Sequence, residues 1–310
     1  MLYDDPQLLL LPIEGFSCRE SIEDDSESEC QSDLPVIFHC SLPPSASRVK
    51  QYTFGCRKPS FDALSSGEES VEDFDASAVD PNFFDVGYSL AGSTGFCVWA
   101  GARFMVESFA LSRDRLALPD ICGCRVLELG AGVGLLGTML AGEGAEVLLT
   151  DLRTLVDNAI SPNLSRNAID SKVESPRWLC SESDENIVYS IGKGWASAKP
   201  LDWSRPVEDQ LCDDQLQNID IVVASDWAWL ASMLDMLLDT VASLFRKGAS
   251  SFFMAFQRRE KNVGHALFTT EAHLCETVGK RGWSLSLRAW RPVVLTDKTE
   301  TVVRLVEIKP

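Results

Sequence analysis

The chain has 310 residues, 45% of them apolar, with a formal net charge of −18 and a pI of about 4.6. That length allows one large domain, or one domain with additions. A field of this sign repels nucleic acid and anionic membrane and favours a basic protein or peptide as partner, and no window nears the ~20 consecutive apolar residues of a membrane span.

The N-terminal "LLLLPI" is too short for a signal h-region and has no basic residue before it, so an intracellular protein is expected, in the cytoplasm or nucleus. The ten cysteines contain no CxxC pair. Cys122 and Cys124 lack a second pair, so zinc is not expected, and the thiols read as reduced.

Residues 1–80 differ in composition from residues 81–310. "SIEDDSESECQSD" (Ser21 to Asp33) and "SSGEESVEDFDASAVD" (Ser65 to Asp80) are acidic and serine-rich. Such runs bury too little apolar surface to offset their ordering entropy. Most of residues 1–80 reads as dispensable for folding of the core; the two runs read as solvated linker, with a docking arm for a basic partner as the functional alternative. "PVIFHC" and "VKQYTFGC" between them are candidate short strands.

Further along, apolar spacing predicts a helix over Val98–Ala110. Val126–Leu129 is the first core strand, and a helix begins at Gly134. Ala145–Asp151 is the second strand. Residues 152–170 read as a helix broken at Pro162. Residues 180–197 read as an insertion, and Ala198–Trp203 as the third strand. Ile219–Asp226 is the fourth strand, read as a fully buried apolar run, followed by an amphipathic helix that stops at Gly248. Ser250–Phe256 is the fifth strand. A helix capped by Thr270 comes next. Trp283–Trp290 and Glu300–Ile308 alternate with period two, a closing antiparallel pair. The alternation predicts an α/β fold, doubly wound, with a mostly parallel seven-stranded sheet.

"VLELGAGVGLLG" runs from Val126 to Gly137. Gly132-x-Gly134-x-x-Gly137 satisfies the dinucleotide pattern, but it starts two residues late, and Glu128 at the strand end would repel a pyrophosphate. S-adenosylmethionine carries a sulfonium and an ammonium instead of phosphates. An acidic strand end suits those cations, and Asp151, 21 residues after Gly130, stands where a carboxylate can accept both ribose hydroxyls. A doubly wound fold whose glycines only make a turn, and a nicotinamide cofactor, are the alternatives.

The chain resembles the seven-β-strand class I methyltransferases, and within them the lysine methyltransferases called methyltransferase family 16. The resemblance spans about Gly87 to Ile308. It is carried by "GSTGFCVWAGARFMVESF", "VLELGAGVGLLG", "LDW" at Leu201–Trp203, "DIVVASDWAWL" and "AFQRRE". It implies a Rossmann-like fold and S-adenosylmethionine as cofactor. Trp99 would border the methionine moiety. Glu128, Gly130, Gly132 and Gly134 would line the amino-acid end, with Ser225 also at the cofactor. Asp151 would hold the ribose, Trp203 would stack on the adenine, and Asp202 would touch its edge. Core tryptophans are the alternative for Trp99 and Trp203. After the fourth strand the family has Asp-x-x-Tyr, whereas this chain has Asp226-Trp227-Ala228-Trp229. Asp226 would orient the amine and Trp229 would wall the channel. The implied reaction is methylation of a protein lysine, with a small-molecule N- or O-methyltransferase or a non-catalytic binding protein as alternatives.

Overall fold

The computed structural model describes residues 5–13, 16–22, 35–42, 50–57, 95–171, 173–179, 187–226, 231–257, 269–294 and 300–310. Trp229, most of the acidic run Ser21 to Asp33 and all of the run Ser65 to Asp80 lie outside them.

Three N-terminal strands, β1 (Ser17–Ile22), β2 (Pro35–Leu42) and β3 (Lys50–Arg57), form an antiparallel sheet in that order. A second sheet holds eight strands among the described residues: β4 (Arg125–Leu129), β5 (Glu146–Asp151), β6 (Val188–Ile191), β7 (Gly194–Pro200), β8 (Ile221–Ser225), β9 (Ser251–Gln257), β10 (Ser284–Val294) and β11 (Glu300–Lys309). Their order is β10-β11-β9-β8-β4-β5-β7-β6. The strands β7, β5, β4, β8 and β9 run parallel, and β6, β10 and β11 pair with their neighbours antiparallel. This is the expected doubly wound sheet with one strand more. The insertion before the third strand supplies β6, which turns at Gly192 and Lys193 into β7. That strand therefore starts at Gly194, four residues earlier than the sequence suggested, and ends before Leu201.

The central strands are apolar on both faces because both faces are covered. Alternation splits them cleanly. Val126, Ile221, Val223 and Phe253 join one core cluster, while Leu127, Leu129, Val222, Ala224 and Phe252 join the other. Helices α1 (Ala100–Val106) and α2 (Leu135–Gly142) cover the first face. Helix α3 begins at Arg153–Leu155, widens into a π-turn over Val156–Ile160 and resumes at Ser161–Asn167. The wide turn ends where Pro162, lacking an N–H, would break a regular ladder. After the short helix α4 (Asp213–Leu216), α5 (Ala231–Lys247) and α6 (Glu271–Lys280) cover the second face through Leu234, Leu237, Leu238, Val241, Leu274 and Val278. No helix among the described residues is long and apolar enough to cross a membrane.

The N-terminal region needs a correction. Its described parts belong to the core rather than to a dispensable arm. Leu10, Val36, Phe38, Cys40, Leu42, Tyr52 and Phe54 are buried in the first cluster. Leu10 donates its N–H to the Trp290 carbonyl at 3.0 Å. The Arg291 guanidinium donates to the Leu10 and Leu11 carbonyls and forms a two-pronged ion pair with Glu107 at 2.8 and 2.7 Å. On the far side, α3 caps the free edge of β3. Asn163 accepts from Gly55 N–H at 2.8 Å and donates to its carbonyl at 3.0 Å, and Asn167 does the same to Thr53 at 2.9 and 2.8 Å. The spacings agree: four helical residues rise ~6 Å, and two strand residues rise ~6.6 Å.

Leu10→Ala should destabilise the protein by about 2–5 kcal/mol. Leu11→Ala, at a side chain 62% exposed, should stay within about 0.5 kcal/mol. Denaturant titration compares them, and equal midpoints would return the segment to the status of a loose arm.

Candidate active site

The chain runs outward from β4 to β5 and β7, then crosses back to β8 on the other side of β4. Ligands of open α/β sheets bind beyond the carboxyl ends of the strands at such a reversal. The loops there carry most of the residues singled out by sequence.

The turn after β4 has Gly130, Gly132 and Gly134 at φ 68°, 58° and 80°. All three are left-handed, which an L side chain rarely adopts. At Gly132 the fit is also tight, since a Cβ there would stand 3.0 Å from the Gly95 carbonyl oxygen. Gly134 is the N-cap of α2 and offers no side chain to its free N–H groups. Glu128 does so instead. Strand alternation points it under α2, where it is 0% exposed, and its Oε2 accepts the Gly137 N–H at 2.9 Å. Its Oε1 has no hydrogen-bond partner among the described residues. A Cβ on Gly137 would collide with this carboxyl. Leu149 crowds the same position, so Glu128 and Leu149 together leave no space for a Cβ at Gly137. Full burial pushes the Glu128 pKa up to about 8, with the Gly137 hydrogen bond opposing the shift and the Asp151 charge adding to it. Glu128 thus supports the turn from below, with Oε2 committed to the Gly137 N–H.

Asp151, half-buried at the end of β5, accepts the Gly132 N–H at 2.8 Å and the Leu152 N–H at 2.7 Å. Burial raises its pKa to about 6, against the pull of those two hydrogen bonds. The Leu201 N–H donates to the Asp151 carbonyl at 2.9 Å, which brings the β7 exit beside it. Asp202 accepts from both the backbone and the hydroxyl of Ser204 at 2.8 and 2.7 Å, a tight local turn, and its N–H donates to Gln210. The half-buried Trp203 packs against the second core cluster.

Across the reversal, β8 ends at the half-buried Ser225 and Asp226. Asp226 sits at φ 56°, a conformation Asp tolerates better than most residues. Its Oδ2 accepts the N–H of Gly101 and that of Ala102, the latter at 3.2 Å. These are orphan donors of the first turn of α1, whose N-cap Trp99 makes no side-chain cap. A Cβ on Gly101 would collide with the Asp226 carboxylate. Sequence reading passed over Gly101, Asn163 and Asn167. The signals were a glycine opening a helix and two asparagines four apart in a helix they do not favour. The proposed channel wall, Trp229, lies outside the described residues.

These residues fit S-adenosylmethionine. The turn at Gly132 is left-handed and leaves little space for a side chain, the stretch Val126–Gly137 contains no cation for a phosphate, and Asp151 stands at the strand end beside it. Held there, the cofactor supplies a methyl group on a cationic sulfur.

Asp151→Ala should weaken S-adenosylmethionine binding by about 2–4 kcal/mol, through lost charge-assisted hydrogen bonds. Calorimetry with a folded variant checks this, and unchanged affinity would remove Asp151 from the site. Glu128 gives a pH signature. Its native pKa, about 8, exceeds the ordinary 4.5. Between those values the native state holds a proton that the unfolded chain has released, so stability falls as pH rises. Glu128→Gln cannot lose that proton. Its melting temperature relative to the native protein should therefore rise between pH 5 and pH 9; a constant difference would place the titration elsewhere.

A family model described as lysine methyltransferase matches residues 82–186 and 180–270, together more than half of the chain. Similar solved structures include magnesium protoporphyrin IX methyltransferase from Synechocystis PCC 6803 with bound S-adenosylmethionine (14% identity, TM-score 0.44, covering 78% of this chain and 100% of that one). Another is precorrin-6y C5,15-methyltransferase from Geobacter metallireducens GS-15 (12%, 0.40, 76% and 100%). A third is a putative RNA methyltransferase from Pyrococcus horikoshii (14%, 0.41, 67% and 83%). Likeness at this level says nothing about substrate. The chain belongs to the lysine methyltransferase family and is an S-adenosylmethionine-dependent methyltransferase.

Proposed function

We propose that this enzyme methylates a lysine side chain of a basic protein. The observation that carries the reading is a carboxylate, Asp226, fixed at the reversal between β4 and β8 beside Trp99. The family description and the net charge of −18 support it. The work falls on the chain's own groups. The glycine turn and Asp151 hold the donor. Asp226 accepts the N–H groups of Gly101 and Ala102 on one oxygen, and its carboxylate orients an incoming ammonium. A lysine with a reference pKa of ~10.4 must lose its proton before it attacks, at a cost of about 4–5 kcal/mol at pH 7. Holding the neutral amine within ~3–3.5 Å of the methyl group, in line with the breaking bond, offsets that cost.

Two substitutions separate capping from orientation. Asn at 226 can still accept from Gly101 and Ala102 through its carbonyl oxygen. Asp226→Asn should therefore keep cofactor affinity and most of its stability while losing methyl transfer. Asp226→Ala loses the cap as well and should be less stable by about 0.5–2 kcal/mol. A normal rate in Asp226→Asn would reduce the carboxylate to a helix cap. Incubation with labelled S-adenosylmethionine and a cell extract, followed by mapping, tests the acceptor. Label on a protein lysine is the expected outcome, and label confined to small molecules would overturn the reading.

A further inference from the structure

We propose that Cys18 and Cys40 form a reversible oxidation site, which a peroxide closes into a cross-strand disulfide. The two residues stand directly opposite each other in the β1–β2 pair, and their sulfurs are 3.5 Å apart in a hydrogen bond. Opposed residues of an antiparallel pair have Cα atoms about 4.5–5.5 Å apart. A disulfide needs about 4.4–6.8 Å. The bond can therefore form without moving either strand.

The two thiols are chemically unequal. Cys40 is 0% exposed, whereas Cys18 is half-exposed and open to a small oxidant. The hydrogen bond from Cys40 pulls the Cys18 pKa below the ordinary thiol value, burial opposes this, and the Arg103 guanidinium assists it. Arg103 is held close by, stacked over Phe38 of β2 at 4.8 Å. Cys40 is shifted the other way, by that same hydrogen bond and by burial. Cys18 is thus the attacking thiolate and Cys40 the resolving thiol. The neighbouring Cys56 is occupied otherwise. Its thiol donates to the Val36 carbonyl at 3.4 Å, and burial pushes its pKa up to about 12.

The chemistry balances with one peroxide. The Cys18 thiolate attacks a peroxide oxygen, the O–O bond breaks, and the departing hydroxide takes up a proton as water. The sulfur is oxidised to a sulfenic acid and the peroxide is reduced. Cys40 then gives up its proton and attacks the Cys18 sulfur. The S–O bond breaks, and hydroxide leaves with that proton as a second water. Two thiols have lost two hydrogens in all, and a dithiol reductant restores them by exchange. The bond closes the chain from Cys18 to Cys40, a span that includes the acidic run after Ile22, and so restricts the unfolded state. It also locks β1 to β2, the central strand of the sheet whose β3 edge is held by Asn163 and Asn167.

The test treats the full chain with limiting hydrogen peroxide, blocks remaining thiols and maps peptides without reductant. The expected first product is a Cys18–Cys40 linked peptide, lighter by two hydrogens, with the melting temperature raised by several degrees and reset by a dithiol. Cys18→Ser removes only the half-exposed partner. It should fold, show neither the link nor the thermal shift, and leave Cys40 unoxidised. A link from either residue to Cys30, which lies between them in the chain, would overturn the proposal. So would Cys18 halting at a sulfinic acid, or a linked product with an unshifted melting temperature.

Discussion

The cofactor cleft depends on two helices being capped from outside their own sequence. A helix leaves its first N–H groups unpaired, and the usual remedy is a polar N-cap side chain. Neither helix at this cleft has one. The N-cap of α2 is Gly134 and that of α1 is Trp99. Gly134 is committed to another demand, a left-handed turn. Acidic residues on neighbouring strands supply the missing acceptors, Glu128 from within β4 and Asp226 just after β8. These strands adjoin each other at the point where the sheet order reverses. The two carboxyl groups that hold the helices therefore also flank the place where a ligand binds.

This arrangement constrains the glycines in turn. At two of the three contacts the carboxyl stands where a Cβ would be, Glu128 at Gly137 and Asp226 at Gly101, while Ala102, the third donor, keeps its side chain. The environments of the two acids nevertheless differ. Glu128 is sealed beneath α2, with one oxygen lacking a partner among the described residues, so burial favours its neutral form. Asp226 is only half-buried and takes two N–H groups on one oxygen.

The sheet was legible because buried parallel strands are continuous apolar runs, and Ile221–Ser225 and Ser251–Gln257 are such runs. The glycine turn was legible because its left-handed positions leave few residue choices. The start of β7 was missed because Gly194, Trp195 and Ala196 pair through their backbones inside a hairpin and show no alternation. The N-terminal strands were read too weakly for a related reason. Their stability comes from long-range partners, Arg291 to Leu10 and Asn163 to Gly55, and no local pattern records a contact 281 or 108 residues away. The burial of Glu128 was hidden as well. A residue at the end of an apolar strand looks the same in sequence whether it faces a ligand or the underside of a helix.

Asn163 connects these observations. Beyond its two bonds to Gly55, its amide donates to the Val133 carbonyl at 2.9 Å, inside the glycine turn. The turn is thus held at three points: by Glu128 through α2, by Asp151 at Gly132, and by Asn163 at Val133. The third hold comes from a side chain that also fixes the edge of β3. An amide that satisfies three backbone groups at once cannot relax toward one without leaving another unpaired in a buried setting, at a cost of about 1–3 kcal/mol. Movement of the N-terminal sheet therefore bears directly on the shape of the turn. The strand β3, expected from "VKQYTFGC", thus lies one hydrogen-bonded side chain from the glycine turn.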